Sequence, residues 1–160
     1  MDVLAGWSEF HVAMAGATAA LAGLVIVAAS VNIDKVIAAG SVTARLATSI
    51  ATLVVAIVVS GAALMPALSL QWFGAIIVVA TIPTAGFQFH AASALAHDGQ
   101  GPSRGRSLRV AIGFVPILAY LAAGLLCLAG QPSGVGVSAV GTLTGIVVAI
   151  LMSWIALVEV

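Results

Sequence analysis

The sequence predicts an all-α integral membrane bundle: five transmembrane helices in a single domain over residues 1–160, N-terminus out and C-terminus in. Three observations predict it. Five long apolar stretches, residues 7–33, 42–68, 72–96, 108–129 and 137–158, fill nearly the whole of the 160-residue chain. The composition is 62% hydrophobic and 6% charged, where a soluble domain carries about 25% charged residues. So few polar groups cannot cover a water-facing surface. Finally, the charges gather in two of the four connections. A hydrocarbon core about 30 Å thick needs about 20 apolar residues at about 1.5 Å each, and each stretch meets that length.

The charge distribution sets the expected orientation. Asp34, Lys35 and Arg45 lie between spans one and two, and His97, Asp98, Arg104, Arg106 and Arg109 lie between spans three and four. The other two connections, near residues 69–71 and 130–136, carry no charge. Short loops rich in Lys and Arg mark the cytoplasmic side. All five Lys and Arg residues then fall on one side, as an odd number of spans requires. Aromatic rings favour the headgroup level, which fits Trp7 and Phe10 at the outer end of span one. Trp72 and Phe73 fit the outer end of span three, and Trp154 the inner end of span five.

Span one begins after residues 1–6, where Asp2 stands in place of a basic n-region. The apolar run behind it is too long for an h-region, so no cleavable signal peptide is expected. Glu9 and His11 fall at the outer end, close enough to the interface to stay wet. Gly16, Ala17, Ala20 and Gly23 form one small-residue surface. In span two, Arg45, Thr48, Ser49 and Thr52 share a face at i, i+3, i+4 and i+7. In span three, Thr81, Thr84 and Gln88 do the same. His90, about two turns above the inner loop, points away from that face towards Phe87.

The loop over residues 96–107 contains Gly99, Gly101, Pro102 and Gly105, a content that forbids a stable helix. Its Arg104 and Arg106, with Arg109 beyond, stand ready to meet anionic headgroups. The loop is too short to be a domain. Span four carries Tyr120 near mid-depth and Cys127, the single cysteine, which excludes an intrachain disulfide and reads as a small core hydrophobe. Pro83 and Pro116 sit near mid-depth in successive spans. Each frees a backbone carbonyl, that of Val79 and of Ile112, which needs a new partner in lipid. Span five carries Gly141, Gly145, Ala149 and Ser153 every four residues, a smooth ridge of the kind that lets helices approach closely in membranes. Glu159 lies at its inner end.

Two pairs of readings stay open at this level. The small-residue ridges serve either packing within the chain or contact with another copy. The hydroxyl stripes of spans two and three, with Tyr120, are either interhelical glue or the lining of a polar cavity or narrow pore. In the second case Gln88 is the stronger witness, because it is the more costly residue in lipid.

Chemistry is sparse. Neither a Ser/His/Asp set, nor paired intramembrane carboxylates, nor a phosphate loop, nor a haem-type His pair can be assembled, so no enzyme and no cofactor is expected. Glu9 and His11 lie on the opposite side from His90 and His97, and the latter two are seven residues apart, which argues against a metal site. No carboxylate lies deep in a span to drive a proton pump. His90 is a candidate proton relay or pH sensor. Five basic residues without aromatic interleaving exclude a nucleic-acid partner.

The first span carries a recognisable pattern: W-x-x-F at Trp7 and Phe10, G-A-x-A-A-L-x-G-L-V at Gly16 and Ala17, residues 19–21 and 23–25, and S-x-N at Ser30 and Asn32. It resembles a set of small multi-spanning bacterial inner-membrane proteins of no established activity. The likeness runs more loosely through Arg45, the Gly- and Arg-rich loop and Trp154. It implies a bacterial inner-membrane placement and no chemistry. The expected function is that of a non-enzymatic membrane protein acting by helix association, as a homo-oligomer or an accessory subunit of a membrane complex. The alternative is a small channel or solute-permeation pathway lined by the polar residues of spans two and three. The expected partners are the lipid bilayer and either itself or other membrane subunits.

Overall fold

The computed structural model describes residues 3–31, 33–38, 40–97 and 103–158. These are helical almost throughout, with no strand among them. A single 3-10 turn, Ala5–Trp7, leads into α1 (Ser8–Val31), followed by α2 (Ile33–Ala38), α3 (Gly40–Ala63), α4 (Leu70–His97), α5 (Ser103–Leu128) and α6 (Ser133–Val158). Five of these elements are long and apolar enough to cross a membrane: Ala5–Val31, Val42–Ala63, Leu70–His90, Ala111–Leu128 and Ser133–Trp154.

Several boundaries differ from the sequence expectation, each for a local reason. Span two stops at Ala63, five residues early. Pro66 disfavours helical backbone at Met65 and brings no N–H of its own, and Ala67 adopts φ 58° in the turn that follows. The connection is therefore 64–69. Ser69 then caps α4: its Oγ accepts from the Trp72 N–H at 3.4 Å and its carbonyl from the Phe73 N–H at 3.0 Å. The expected helix-free loop over 96–107 is also corrected, because α5 already begins at Ser103. One isolated glycine, Gly105, costs a helix only about 1 kcal/mol, too little to stop it. The link between spans one and two contains the short helix α2, where no structure was expected.

The α5–α6 turn is the sharpest. Gly130 takes φ 75°, the left-handed conformation that glycine adopts without penalty. Its N–H donates to the Cys127 carbonyl at 3.0 Å and that of Gln131 to the Leu126 carbonyl at 2.9 Å, the bonding pattern of a Schellman cap. Pro132 follows, where it cannot continue the helix.

Helices α3, α4, α5 and α6 form a closed four-membered ring in which each packs on the next and α6 returns to α3. Helix α1 stands outside that ring, packed mainly on α3 and only lightly on α6. The difference shows in burial: 61% of the α3 span is inside the protein but only 17% of the α1 span. At the end where Leu4 lies, the ring is closed by an apolar layer of Val59, Phe73, Ile77, Cys127 and Val135, against which Leu4 packs. Phe73 is thus a core residue, fully buried, and not the headgroup anchor its neighbour Trp72 suggested. Trp72 and Trp154 are both 69% exposed, as rings at a lipid interface would be.

A polar interior as the candidate functional site

Polar side chains line part of the ring's interior, and the helical period brings this about. On α3, residues 45, 48, 49 and 52 recur at the spacing of one helix face, and all four side chains are buried: Arg45, Thr48, Ser49 and Thr52. Helix α4 adds Thr81, Thr84 and Gln88, and α5 adds Tyr120, likewise buried. The stripes singled out in spans two and three therefore meet inside the protein.

Their hydrogen bonds are short-range. The hydroxyls of Thr48, Ser49 and Thr52 donate to the carbonyls four residues back, at 2.9, 3.0 and 2.9 Å, and Thr81 donates to Ile77 at 2.7 Å. Such back-bonds satisfy a hydroxyl within its own helix. Two bonds cross between helices. Thr84 donates to the Ala51 carbonyl of α3 at 3.5 Å, a long bond. The Tyr120 phenol donates to Thr142 Oγ1 of α6 at 3.1 Å, and Thr142 passes its own proton to the Ser138 carbonyl at 3.1 Å. Gln88 is accommodated by a missing side chain, since a β-carbon at Gly113 of α5 would collide with its amide.

The ridge of α6 lies within the chain. A β-carbon at Gly141 would stand 3.2 Å from the Tyr120 ring, and one at Gly145 3.2 Å from Thr52 Cγ2. Ala149 and Ser153 are buried on the same side. Close approach by small residues is thus how α6 packs on α5 and α3. The surface of α1 is the opposite case. Gly16, Ala20 and Gly23 are exposed, and nothing lies within 4 Å of a β-carbon placed at either glycine. His90 is exposed on the outer face of α4, beside exposed Phe87.

Arg45 is the sixth residue of α3 and is 8% exposed, so it belongs to the helix and not to the connection where its charge was counted. It lies three residues inside Val42, the first residue of the span, which is about 4.5 Å. A guanidinium on a long stem reaches the interface from there. Cys127 is fully buried, packed against Gly74 and Gly134. Among the described residues no three His, Cys, Asp or Glu side chains come together as metal ligands would. A groove of about 550 Å³ between α3 and α4 faces outwards and is walled by apolar side chains, among them Ile50, Val54, Val58, Pro83 and Phe87, with Thr84 at its edge.

Sequence reasoning missed the outer half of the interior. His11, expected to stay wet, is fully buried with its ring edge-on to Phe10 and Phe73 at centroid distances of 5.4 and 6.3 Å. Thr18, Ser60, Ser138 and Thr142 are also fully buried. The signal was present: His11, Thr18 and Ala22 stand at i, i+7 and i+11, one face of a helix, and Ser138 and Thr142 are four apart beside the Gly141/Gly145 ridge.

No family model, no curated protein and no solved structure matches the chain.

Proposed function

We propose that the protein acts by helix association in a bilayer, as a homo-oligomer or an accessory subunit of a membrane complex, without catalysing a reaction of its own. The observation that carries this reading is the free face of α1. In lipid the drive for helices to meet is close packing of small residues. The α6 ridge is already occupied inside the chain, whereas Gly16, Ala20 and Gly23 present an equally smooth surface with nothing packed on it. The expected setting is a bacterial inner membrane, N-terminus out and C-terminus in. The charge asymmetry of the loops and the pattern of the first span support it.

The test is the mass of the detergent-solubilised protein. Gly16→Leu together with Gly23→Leu should move it towards the monomer while the protein stays helical and folded, since both positions are open. An unchanged mass would remove α1 as the contact. Identification of co-purifying chains then separates self-association from subunit membership.

A second reading, a narrow permeation pathway, is favoured by one observation: Thr48, Ser49, Thr52, Thr81, Thr84, Gln88 and Tyr120 are all buried in the same interior. With Cys127 replaced, cysteines at Thr52 and Thr84 should react with a water-soluble thiol reagent if that interior conducts. Protection of both would exclude this reading.

A further inference from the structure

We infer that an ordered water molecule is bound between α1 and α3, held by the imidazole of His11 and the hydroxyl of Ser60. Both side chains are fully buried, and neither ring nitrogen of His11 nor Ser60 Oγ has a hydrogen-bond partner in the protein. A neutral imidazole carries one N–H donor and one lone pair, and a hydroxyl carries one donor and two acceptor sites. Leaving such groups buried without partners destabilises a folded protein.

Helix register puts the two in one layer. Val25 and Ala29 of α1 pack in a cluster with Val42 and Leu46 of α3 at the inner end of this antiparallel pair. His11 lies fourteen residues before Val25, and Ser60 fourteen residues after Leu46. The two are therefore raised equally, by about 21 Å at about 1.5 Å per residue, and turned equally about their helices. Each is also the fourth residue from the outer end of its helix. Phe73, edge-on to His11, belongs to the apolar layer that also contains Val59, the neighbour of Ser60.

The ligand class follows from the donors and acceptors. The site offers donors and acceptors in balance, and the carboxylate two residues before His11, that of Glu9, is exposed. It therefore suits a small neutral molecule that both gives and takes hydrogen bonds. Buried waters typically make about three such bonds to groups that would otherwise go unsatisfied. The water would join α1 to the four-helix ring through two buried polar groups that lie at the same level of their helices.

A double-mutant cycle on the full chain in detergent or lipid nanodiscs tests the site. His11→Phe and Ser60→Ala should each lower Tm by about 2–4 °C, because each leaves one group and the water short of a partner. The double variant should lose clearly less than both losses combined, since no polar group remains to satisfy. Additive effects of either sign would overturn the proposal, as would single variants that raise Tm, the result expected for two unbridged groups. If His11→Phe fails to fold, ¹⁵N-histidine-labelled wild type and Ser60→Ala remain informative. A through-space cross-peak between the His11 ring proton and water, weakened in Ser60→Ala, supports the site. A wild-type ring proton with no water cross-peak refutes it.

Discussion

A residue type carries no fixed meaning in this chain until its neighbours are known, and the glycines make the case. A β-carbon at Gly134 would stand 2.5 Å from Cys127 Sγ and 2.9 Å from the Ala123 carbonyl and the Cys127 amide nitrogen. Backbone atoms cannot step aside, so Gly134→Ala should destabilise the protein by about 1–3 kcal/mol, seen as a lower Tm. Gly86→Ala, on the exposed face of α4, meets open space and removes backbone freedom from the unfolded chain. It should be neutral or stabilising by up to about 1 kcal/mol in the same measurement. Tyr120 gives a polar counterpart. Its phenol is 1% exposed and donates to Thr142. Thr142→Val keeps the shape and deletes the acceptor, which should cost about 1–3 kcal/mol. Thr142→Ser keeps the acceptor and should recover most of that loss.

At the scale of elements, the five spans and the sharing of faces within α3 and α4 were legible, because apolar length and a 3.6-residue period are properties of one segment at a time. What stayed hidden depends on two segments meeting. His11 is one turn from the end of its helix, and from sequence alone that position reads as wet. It is dry because its ring packs edge-on against those of Phe10 and Phe73 where α1 lies along α3. The small residues of α1 and α6 look alike in sequence, yet one set is buried and the other bare, since only the order of helices around α3 decides which ridge finds a partner. The early stop of α3 was readable in Pro66 but outweighed by the hydrophobicity of the residues after it. The start of α5 at Ser103 was obscured by giving Gly105 more weight than one residue carries.

The whole molecule combines a closed ring with one helix laid against it. Five crossings put the two chain ends on opposite sides, and the clustering of all Lys and Arg in two connections favours the inside for those connections. A cysteine at Gly6 should then be labelled from the outer side of intact cells in a Cys127→Ser background. A cysteine at Gly101, between α4 and α5 in sequence, should be labelled only after the membrane is opened. Labelling in the reverse pattern would invert the orientation and leave the helix packing untouched. An apolar layer closes the ring at the end where Leu4 lies, so any traffic through it would be stopped there by Phe73, Ile77 and Val59.

The position of α1 outside the ring also bears on how the chain is made. Helix α1 is synthesised before α3, the helix on which it mainly packs, and the short α2 lies between them. For that interval α1 must rest in the bilayer alone, with an imidazole facing hydrocarbon or retained near the headgroups. Its exposed surface is apolar between Glu9 at one end and Ser30 at the other, so it can wait there without a partner. The docking of α3 on α1 then precedes closure of the four-helix ring beside it.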